Sequence, residues 1–121
     1  MENTEQLVDR YVGVWNEPDP AARRSTIEAL WAAEGRHCMG AHDVRGYDAL
    51  DVRVSGSHER SVVAGGNVFR PAGAIQQVPG VVKFRWDMAR REDGTVAAAG
   101  VGFLMLDADG KITRDCLFVE G

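Results

Sequence analysis

The stretch Val81–Met88, with the sequence VVKFRWDM, decides the fold of this 121-residue chain. Phe84, Trp86 and Met88 alternate with charged residues, and this alternation is the period of a half-buried β-strand. Successive side chains of a strand point to opposite faces, so one face carries large apolar groups and the other carries charges. The apolar face needs a cover, and the helices that could form it lie upstream. The stretch therefore predicts a curved sheet that closes over an apolar interior.

The composition argues against several classes of protein. The 14 basic and 18 acidic residues give a net charge of −4, which does not favour a nucleic-acid partner. No apolar run approaches the ~20 residues of a membrane span, and the first residues do not resemble a signal peptide. Two cysteines, Cys38 and Cys116, are too few for a disulfide framework. We therefore expect one domain, residues 1–121, in the reducing cytoplasm and with no membrane partner.

Two amphipathic helices are predicted upstream of the first strand. Asn3 is placed to begin a capping box at the start of the first helix, and Pro18 ends that helix. Asp19 and Pro20 are the typical cap and first position of the second helix. Gly35 is its expected C-terminal stop.

The rest of the chain is predicted to contain one further helix, over residues 47–58, and a set of strands. Aspartate-glycine pairs at 93–94 and 109–110 are hairpin signals, so the last three strands should form an antiparallel meander. The predicted strands are 36–39, 61–64, 67–70, 81–90, 95–106 and 111–118. Helices first and a bent antiparallel sheet after them are typical of an α+β fold.

Five segments in a fixed order carry a resemblance to a known family: 7–16 (LVDRYVGVWN), 29–35 (ALWAAEG), 44–50 (VRGYDAL), 84–86 (FRW) and 106–112 (LDADGKI). Together they resemble the SnoaL-like branch of the nuclear-transport-factor-2-like superfamily. The resemblance covers nearly the whole chain. It implies a conical α+β fold, with three N-terminal helices on a strongly curved, mixed but mainly antiparallel sheet that encloses an apolar cavity. It also implies a homodimer formed through the outer face of the sheet.

The superfamily includes ketosteroid isomerases, polyketide cyclases, dehydratases, epoxide hydrolases and non-catalytic domains, so the fold does not choose an activity. The resemblance to the isomerases implies an oxyanion donor at Tyr11, although a core tyrosine with a satisfied hydroxyl is the alternative. The isomerase base falls on Met39, and the acid–base aspartate of the late strand falls on Gly102. Without those groups the isomerisation is not expected, because nothing shuttles the proton.

Histidines supply the remaining acid–base candidates. His37 is expected to point inward from the first strand, where an imidazole could act as general acid or base; a structural histidine is the alternative. His58 is expected to be a solvated residue at the end of helix three, and lining the cavity mouth is the alternative. Segment 37–43 contains zinc-ligand types without a standard spacing, and His37 and Cys38 point oppositely. We expect no metal and no cofactor.

Two arginines raise further alternatives. Arg85, with Asp87 and Asp115, could form the Asp–Arg–Asp set that the superfamily's epoxide hydrolases use. An inward Trp86 turns Arg85 and Asp87 outward, however, where they would more simply be solvated or pair across a dimer interface. Arg114 shares a face with residue 118, which lines the cavity in the family, so it is a candidate cation for a carboxylate or phenolate. A surface arginine is the alternative.

The sequence thus predicts a domain that binds a small apolar or aromatic molecule. Its catalytic form would be a cofactor-independent isomerase, cyclase or dehydratase, with His37 and Tyr11 as catalytic residues and Tyr47 as a second candidate donor. The alternative is a non-catalytic dimeric interaction or structural domain. A pocket of about 300 Å³ or more would favour binding. The expected ligand-contacting residues are Trp15, Trp31, Tyr47, Phe69, Trp86, Met88, Arg114 and Phe118.

Overall fold

The structure is a computed structural model that describes residues 2–120, so positions 1 and 121 of the predicted domain lie outside the described part. Three α-helices and seven strands follow one another, and α3 continues as a π-helical segment. In chain order they are α1 (Thr4–Val14), α2 (Pro20–Leu30), β1 (Trp31–Met39), β2 (His42–Arg45), α3 (Tyr47–Ser57), the π-helical segment (His58–Ala64), β3 (Asn67–Pro71), β4 (Gln76–Val78), β5 (Val81–Arg90), β6 (Val96–Leu106) and β7 (Ile112–Glu120).

The seven strands form one open, mixed sheet in the order β2-β1-β7-β6-β5-β3, and β4 pairs with β5. β1 and β7 run parallel, whereas every other paired couple of strands is antiparallel. The α+β prediction, with three helices on a mainly antiparallel sheet, is confirmed. Within residues 2–120, no helix is long and apolar enough to cross a membrane.

Helix α1 begins as the capping box predicts. The Gln6 backbone N–H donates to Asn3 Oδ1 at 2.8 Å, and the Asn3 N–H donates to Gln6 Oε1 at 2.9 Å. The apolar stripe of α1 then packs on the inner face of the sheet, where Val8 and Tyr11 are almost fully buried. This packing fixes the side of the sheet on which a site can form.

The C-terminal end of α2 differs from the prediction. The helix ends at Leu30, and Gly35 lies inside β1, where the register of β1 against β7 shifts. A Cβ at position 35 would lie 2.7 Å from Trp31 Cδ1 and 3.0 Å from the Ile112 carbonyl oxygen. Gly35 is therefore required by close packing in a bulge and does not cap the helix.

The prediction of a strand at 61–64 is wrong, because the chain remains helical there. Val54, His58 and Val62 are all buried, four residues apart. The π-helical segment therefore extends the buried face of α3, and this packing overrides the β-propensity of two adjacent valines. π-helical turns are often found at functional sites.

Two glycines of β6 make room for the aromatic side chains of β5. Gly102 is paired with Phe84, and Gly100 with Trp86. A Cβ at position 102 would lie 2.4 Å from Phe84 Cζ, and one at position 100 would lie 2.5 Å from Trp86 Cζ2. The space that a side chain at position 102 would take is thus filled by the Phe84 ring of the neighbouring strand.

A bulge in β7 reverses the predicted facing of that strand. Met105 pairs with Arg114 and Leu106 pairs with Ile112, so Thr113 is an extra residue with no partner. Beyond it the alternation shifts by one, and a shift of one residue moves every side chain to the other face. Arg114 is exposed and Asp115 is fully buried. The expectation that Arg114 lies nearest the interior is wrong.

Candidate functional site

A pocket of about 650 Å³ lies between α1, the end of α3 with its π-helical segment, and the inner face of the sheet. Trp86 and Phe84 of β5 contribute to its wall, as the alternation in β5 predicts. The exposed residues His42 and Arg60 lie at its mouth. The lining residues are Tyr11, Val12, Trp15, Met39, Gly40, Ala41, His42, Arg53, Ser57, Arg60, Ser61, Phe69, Phe84, Trp86, Met88, Ala98, Leu117, Phe118 and Val119.

The predicted ligand-contacting residues divide into two groups. Trp15, Phe69, Trp86, Met88 and Phe118 line the pocket. Of these, Phe118 lies at the edge, since its side chain is 54% exposed and its ring packs edge-to-face on another aromatic ring of the sheet.

The other three lie away from the pocket. Trp31 is fully buried beneath it, and the Tyr47 hydroxyl donates to the Trp31 carbonyl oxygen at 3.0 Å. Arg114 is on the outer face, where its Nη2 lies 3.7 Å from Cys38 Sγ. Contact between these three and a ligand is not supported by their positions.

Asp115 is the centre of a buried polar network beside the pocket. Its Oδ2 accepts a hydrogen bond from the Tyr11 hydroxyl at 2.5 Å and lies 2.6 Å from His37 Nδ1. Its Oδ1 accepts from Trp31 Nε1 at 2.9 Å. Asp115 and His37 are both fully buried, while Tyr11 also lines the pocket. Three side chains, one from α1 and two from β1, therefore meet around one carboxylate of β7.

The network holds Tyr11 in its protonated form. Burial, and secondarily the negative charge of Asp115, raises the pKa of Tyr11 well above its ordinary value. Tyr11 therefore remains a protonated donor near neutral pH. The Tyr11 hydroxyl is satisfied, as the core-tyrosine alternative expected, but it is satisfied by a carboxylate at the wall of the pocket.

His37 has one ring nitrogen engaged and one free. In the tautomer whose Nδ1–H donates to the Asp115 carboxylate, Nε2 is the ring nitrogen that keeps a lone pair. Nε2 is buried and has no hydrogen-bond partner within residues 2–120. The His37 ring packs against the ring of Trp15, with centroids 5.1 Å apart. The inward orientation predicted for His37 is observed, while its catalytic role stays a prediction.

Arg53 brings a positive charge into the pocket wall. It is only 9% exposed, and its guanidinium carbon lies 5.3 Å from the centroid of the Trp15 ring. Its Nη2 reaches only the thioether sulfur of Met39, at 3.4 Å, and its Nε has no partner in the described part of the chain. Burial, followed by the charge of Arg60, lowers the pKa of Arg53.

Arg53 was not predicted as a site residue, although its position in the helical pattern indicates that it is buried. Leu50, Arg53, Val54 and Ser57 are buried and follow helical spacing, so position 53 falls on the buried side of α3. Asp115 gave no such signal, because only the bulge at Thr113 turns it inward.

His58 is buried, and its Nδ1 lies 3.3 Å from the Trp15 carbonyl oxygen. The expectation that His58 is a solvated helix-terminal residue is therefore wrong. The helix does not end at His58 but continues into the π-helical segment, and this continuation keeps the imidazole against α1.

The Asp–Arg–Asp set considered from the sequence does not assemble. Arg85 pairs with Glu120 at 2.8 Å, and Asp87 lies 3.6 Å from Arg70, both on the outer face. Asp115 lies on the inner face, so the three side chains are on opposite sides of the sheet. This arrangement rules out epoxide hydrolysis by that set.

The segment 37–43 does not converge on one point. Asp43 forms a bidentate pair with Arg36, with both contacts at 2.7 Å, and this pair lowers the pKa of Asp43 to about 2. Across residues 2–120, no group of three or more histidine, cysteine, aspartate or glutamate side chains is arranged to hold a metal ion.

Solved structures similar to this chain share its fold. A SnoaL-like family protein from Agrobacterium tumefaciens, provisionally described as an isomerase, superposes with a TM-score of 0.86 at 23% identity and covers 95% of each chain. A Sinorhizobium meliloti protein, provisionally described as a polyketide cyclase, gives 0.69 at 15% identity, covering 94% of this chain and 93% of its own.

A de novo designed NTF2 fold protein gives a TM-score of 0.71 at 15% identity, covering 99% of this chain and 88% of its own. No protein-family model and no curated protein matches the sequence. These likenesses confirm the predicted SnoaL-like, nuclear-transport-factor-2-like fold. A designed protein shares it as well, so the fold alone does not identify an activity.

Proposed function

We propose that this chain binds a small apolar or aromatic molecule in the pocket between α1 and β5. The observation that supports binding most directly is the pocket volume of about 650 Å³, which falls within the range of roughly 300–1,000 Å³ typical of ligand sites. Its wall is mainly aromatic and aliphatic, with Trp15, Phe69, Phe84 and Trp86 among the largest contributors. A purely structural core would pack these side chains against one another and leave little open volume.

Binding can be tested with 2-naphthamide, a neutral bicyclic aromatic probe, by isothermal titration calorimetry. We expect a dissociation constant of roughly 100 μM or tighter, the value that a ligand of this size reaches in a largely apolar site. Quenching of tryptophan fluorescence should follow the same isotherm, because Trp15 and Trp86 line the pocket. No heat and no quenching at millimolar probe would contradict the proposal.

A second candidate function, cofactor-independent acid–base catalysis, is favoured by the Asp115 network. A histidine that donates from Nδ1 to a buried carboxylate and keeps a free Nε2 has the arrangement of a general base oriented by an acid. His37 is fully buried and does not line the pocket, so catalysis would require Nε2 to become accessible to the ligand. Tyr11, held protonated at the pocket wall, would have to turn its single O–H away from Asp115 to donate a hydrogen bond to a developing oxyanion. The reaction would be of the isomerase, cyclase or dehydratase type, and no cofactor takes part.

The tautomer of His37 is the structural requirement of this second candidate. We expect long-range ¹H–¹⁵N spectra to show the His37 tautomer that is protonated at Nδ1, because Asp115 lies 2.6 Å from that nitrogen. His37→Asn should keep the hydrogen bond to Asp115 through its Nδ2 and lose the free base. A His37 ring protonated at Nε2 in the wild-type protein would exclude the role of general base.

We also propose that the chain forms a homodimer through the outer face of the sheet. A dimeric interaction or structural domain is the alternative function that the sequence leaves open. Phe118 is 54% exposed and packs edge-to-face with Phe103, with ring centroids 6.1 Å apart. A contiguous apolar patch on a protein surface is typical of an interaction site, and the Phe103–Phe118 pair would form part of such a patch. Sedimentation velocity should show a dimer, and Phe118→Glu should give a folded monomer. A monomeric wild-type protein at 100 μM, an order-of-magnitude choice for a weak dimer, would contradict this.

A further inference from the structure

The pocket offers hydrogen-bond donors and positive charge, and among residues 2–120 its lining includes no carboxylate. Arg53 and Arg60 carry the charge, His42 lies at the mouth, and the indole Nε1 of Trp86 is buried without a partner. A buried donor without an acceptor costs free energy, about 1–3 kcal/mol for a neutral group and more for a charged one. These unpaired donors would be satisfied by a ligand that accepts hydrogen bonds.

Arg53 is the more buried of the two arginines in the pocket wall. Its guanidinium is held by the Trp15 ring and by a weak contact to Met39, and within the described residues it pairs with no carboxylate. Asp115 is the acid whose charge acts on Arg53, but the hydrogen bonds of Asp115 go to Tyr11, Trp31 and His37. A buried guanidinium with a free Nε–H is suited to a planar, bidentate acceptor, as a carboxylate is.

The pocket mouth carries the same sign of charge. The Arg53 guanidinium, followed by desolvation and then by the charge of Arg60, lowers the pKa of His42. Arg60 reaches the mouth from the π-helical segment, one turn beyond Gly56. A positive field at the entrance of an apolar pocket attracts an anionic ligand and disfavours a cation.

We propose that the ligand of this pocket is an amphiphilic anion, a carboxylate on an apolar or aromatic skeleton, with its carboxylate on Arg53 and its skeleton against Trp86 and Phe69. The inference rests on the proposed binding function and deepens it, since it assigns the charge class of the ligand. Arg53, and not Arg114 as predicted, is the cation nearest the interior.

The test compares two probes of the same shape, 2-naphthoate and 2-naphthamide, by titration calorimetry at pH 7.5. We expect the wild-type protein to bind the naphthoate roughly tenfold or more tightly than the amide, the factor expected for one charge-assisted contact. Arg53→Met, which keeps the apolar stem, should bring the two affinities within about twofold by weakening the naphthoate alone. Arg53→Lys should keep part of the preference.

Two further variants keep the test decisive if Arg53→Met does not fold. Arg60→Gln removes an exposed charge at the mouth and should weaken naphthoate binding by about threefold, without changing that of the amide. Arg90→Gln, at an exposed arginine outside the pocket, is the matched control and should change neither. Naphthoate should also raise the pKa of His42 in an NMR titration, whereas the amide should not.

Equal affinity for the two probes in the wild-type protein would overturn the inference and leave the binding function standing. A naphthoate preference that survives both Arg53→Met and Arg60→Gln would also overturn it, because the anion would then lie elsewhere. Failure of both probes to bind would contradict the proposed function itself, and the inference with it.

Discussion

Replacing Asp115 with alanine should lower the free energy of unfolding by roughly 3–5 kcal/mol, the largest stability effect that we expect of any single substitution in this chain. The Asp115 carboxylate is fully buried and is the shared partner of Tyr11, Trp31 and His37. Its removal leaves three buried polar groups without an acceptor, and each such group costs about 1–3 kcal/mol. Urea denaturation followed by circular dichroism measures the change.

Two control variants distinguish the effect of breaking the hydrogen-bond network from the effect of removing any aspartate. Asp115→Asn keeps one acceptor oxygen and should cost less than the alanine. Asp87→Ala removes an aspartate from the outer face of the same sheet, where its partner Arg70 is 3.6 Å away and partly exposed. That substitution should cost about 1 kcal/mol or less, as other surface ion pairs do. A similar cost for Asp115→Ala would show that the network does not stabilise the fold.

Ala98→Trp should weaken the affinity for both naphthalene probes by roughly 100-fold or more, so that calorimetry no longer detects binding. Ala98 is paired with Met88 on the inner face and lines the pocket, so an indole at this position projects into the open volume. The stability of the protein should change little, because the new ring occupies space that is empty in the wild-type protein. Calorimetry with 2-naphthamide and 2-naphthoate, with urea denaturation beside it, measures both quantities.

The matched control is Ala97→Trp. Ala97 is the preceding residue of β6, is exposed and does not line the pocket. This variant should bind both probes as the wild-type protein does. Unchanged binding by Ala98→Trp would mean that the probes bind at a different place, and the pocket would lose its proposed role.

The sequence carried enough local information to predict most of the fold. The predicted strand 81–90 matches β5 residue for residue, and the capping box of α1 begins at Asn3 as expected. Both depend on neighbours a few residues apart in the chain. The same kind of local reasoning placed Phe84, Trp86 and Met88 in the pocket wall, because strand alternation determines facing once one residue is assigned.

The site was harder to predict, because two non-local features arrange it. The bulge at Thr113 exchanges the faces of Arg114 and Asp115, and it follows from the pairing of β7 with β6, which no local pattern encodes. The helix continues through His58 and Val62 because both side chains are buried, and His58 contacts the Trp15 carbonyl oxygen at the end of α1. Asp115 was therefore grouped with Arg85 and Asp87 instead of with His37. Arg114 was predicted to be the cation beside the ligand, where the structure has Arg53.

The site of ligand binding is tested most directly by a crystal structure of the protein soaked with 2-naphthoate. We predict that the naphthalene rings lie against Trp86 and Phe69, with the carboxylate within hydrogen-bond distance of Arg53 and the Tyr11–Asp115–His37 contacts intact beside it. Probe density outside the pocket, or rings in the pocket with the carboxylate directed away from Arg53 into solvent, would contradict the account.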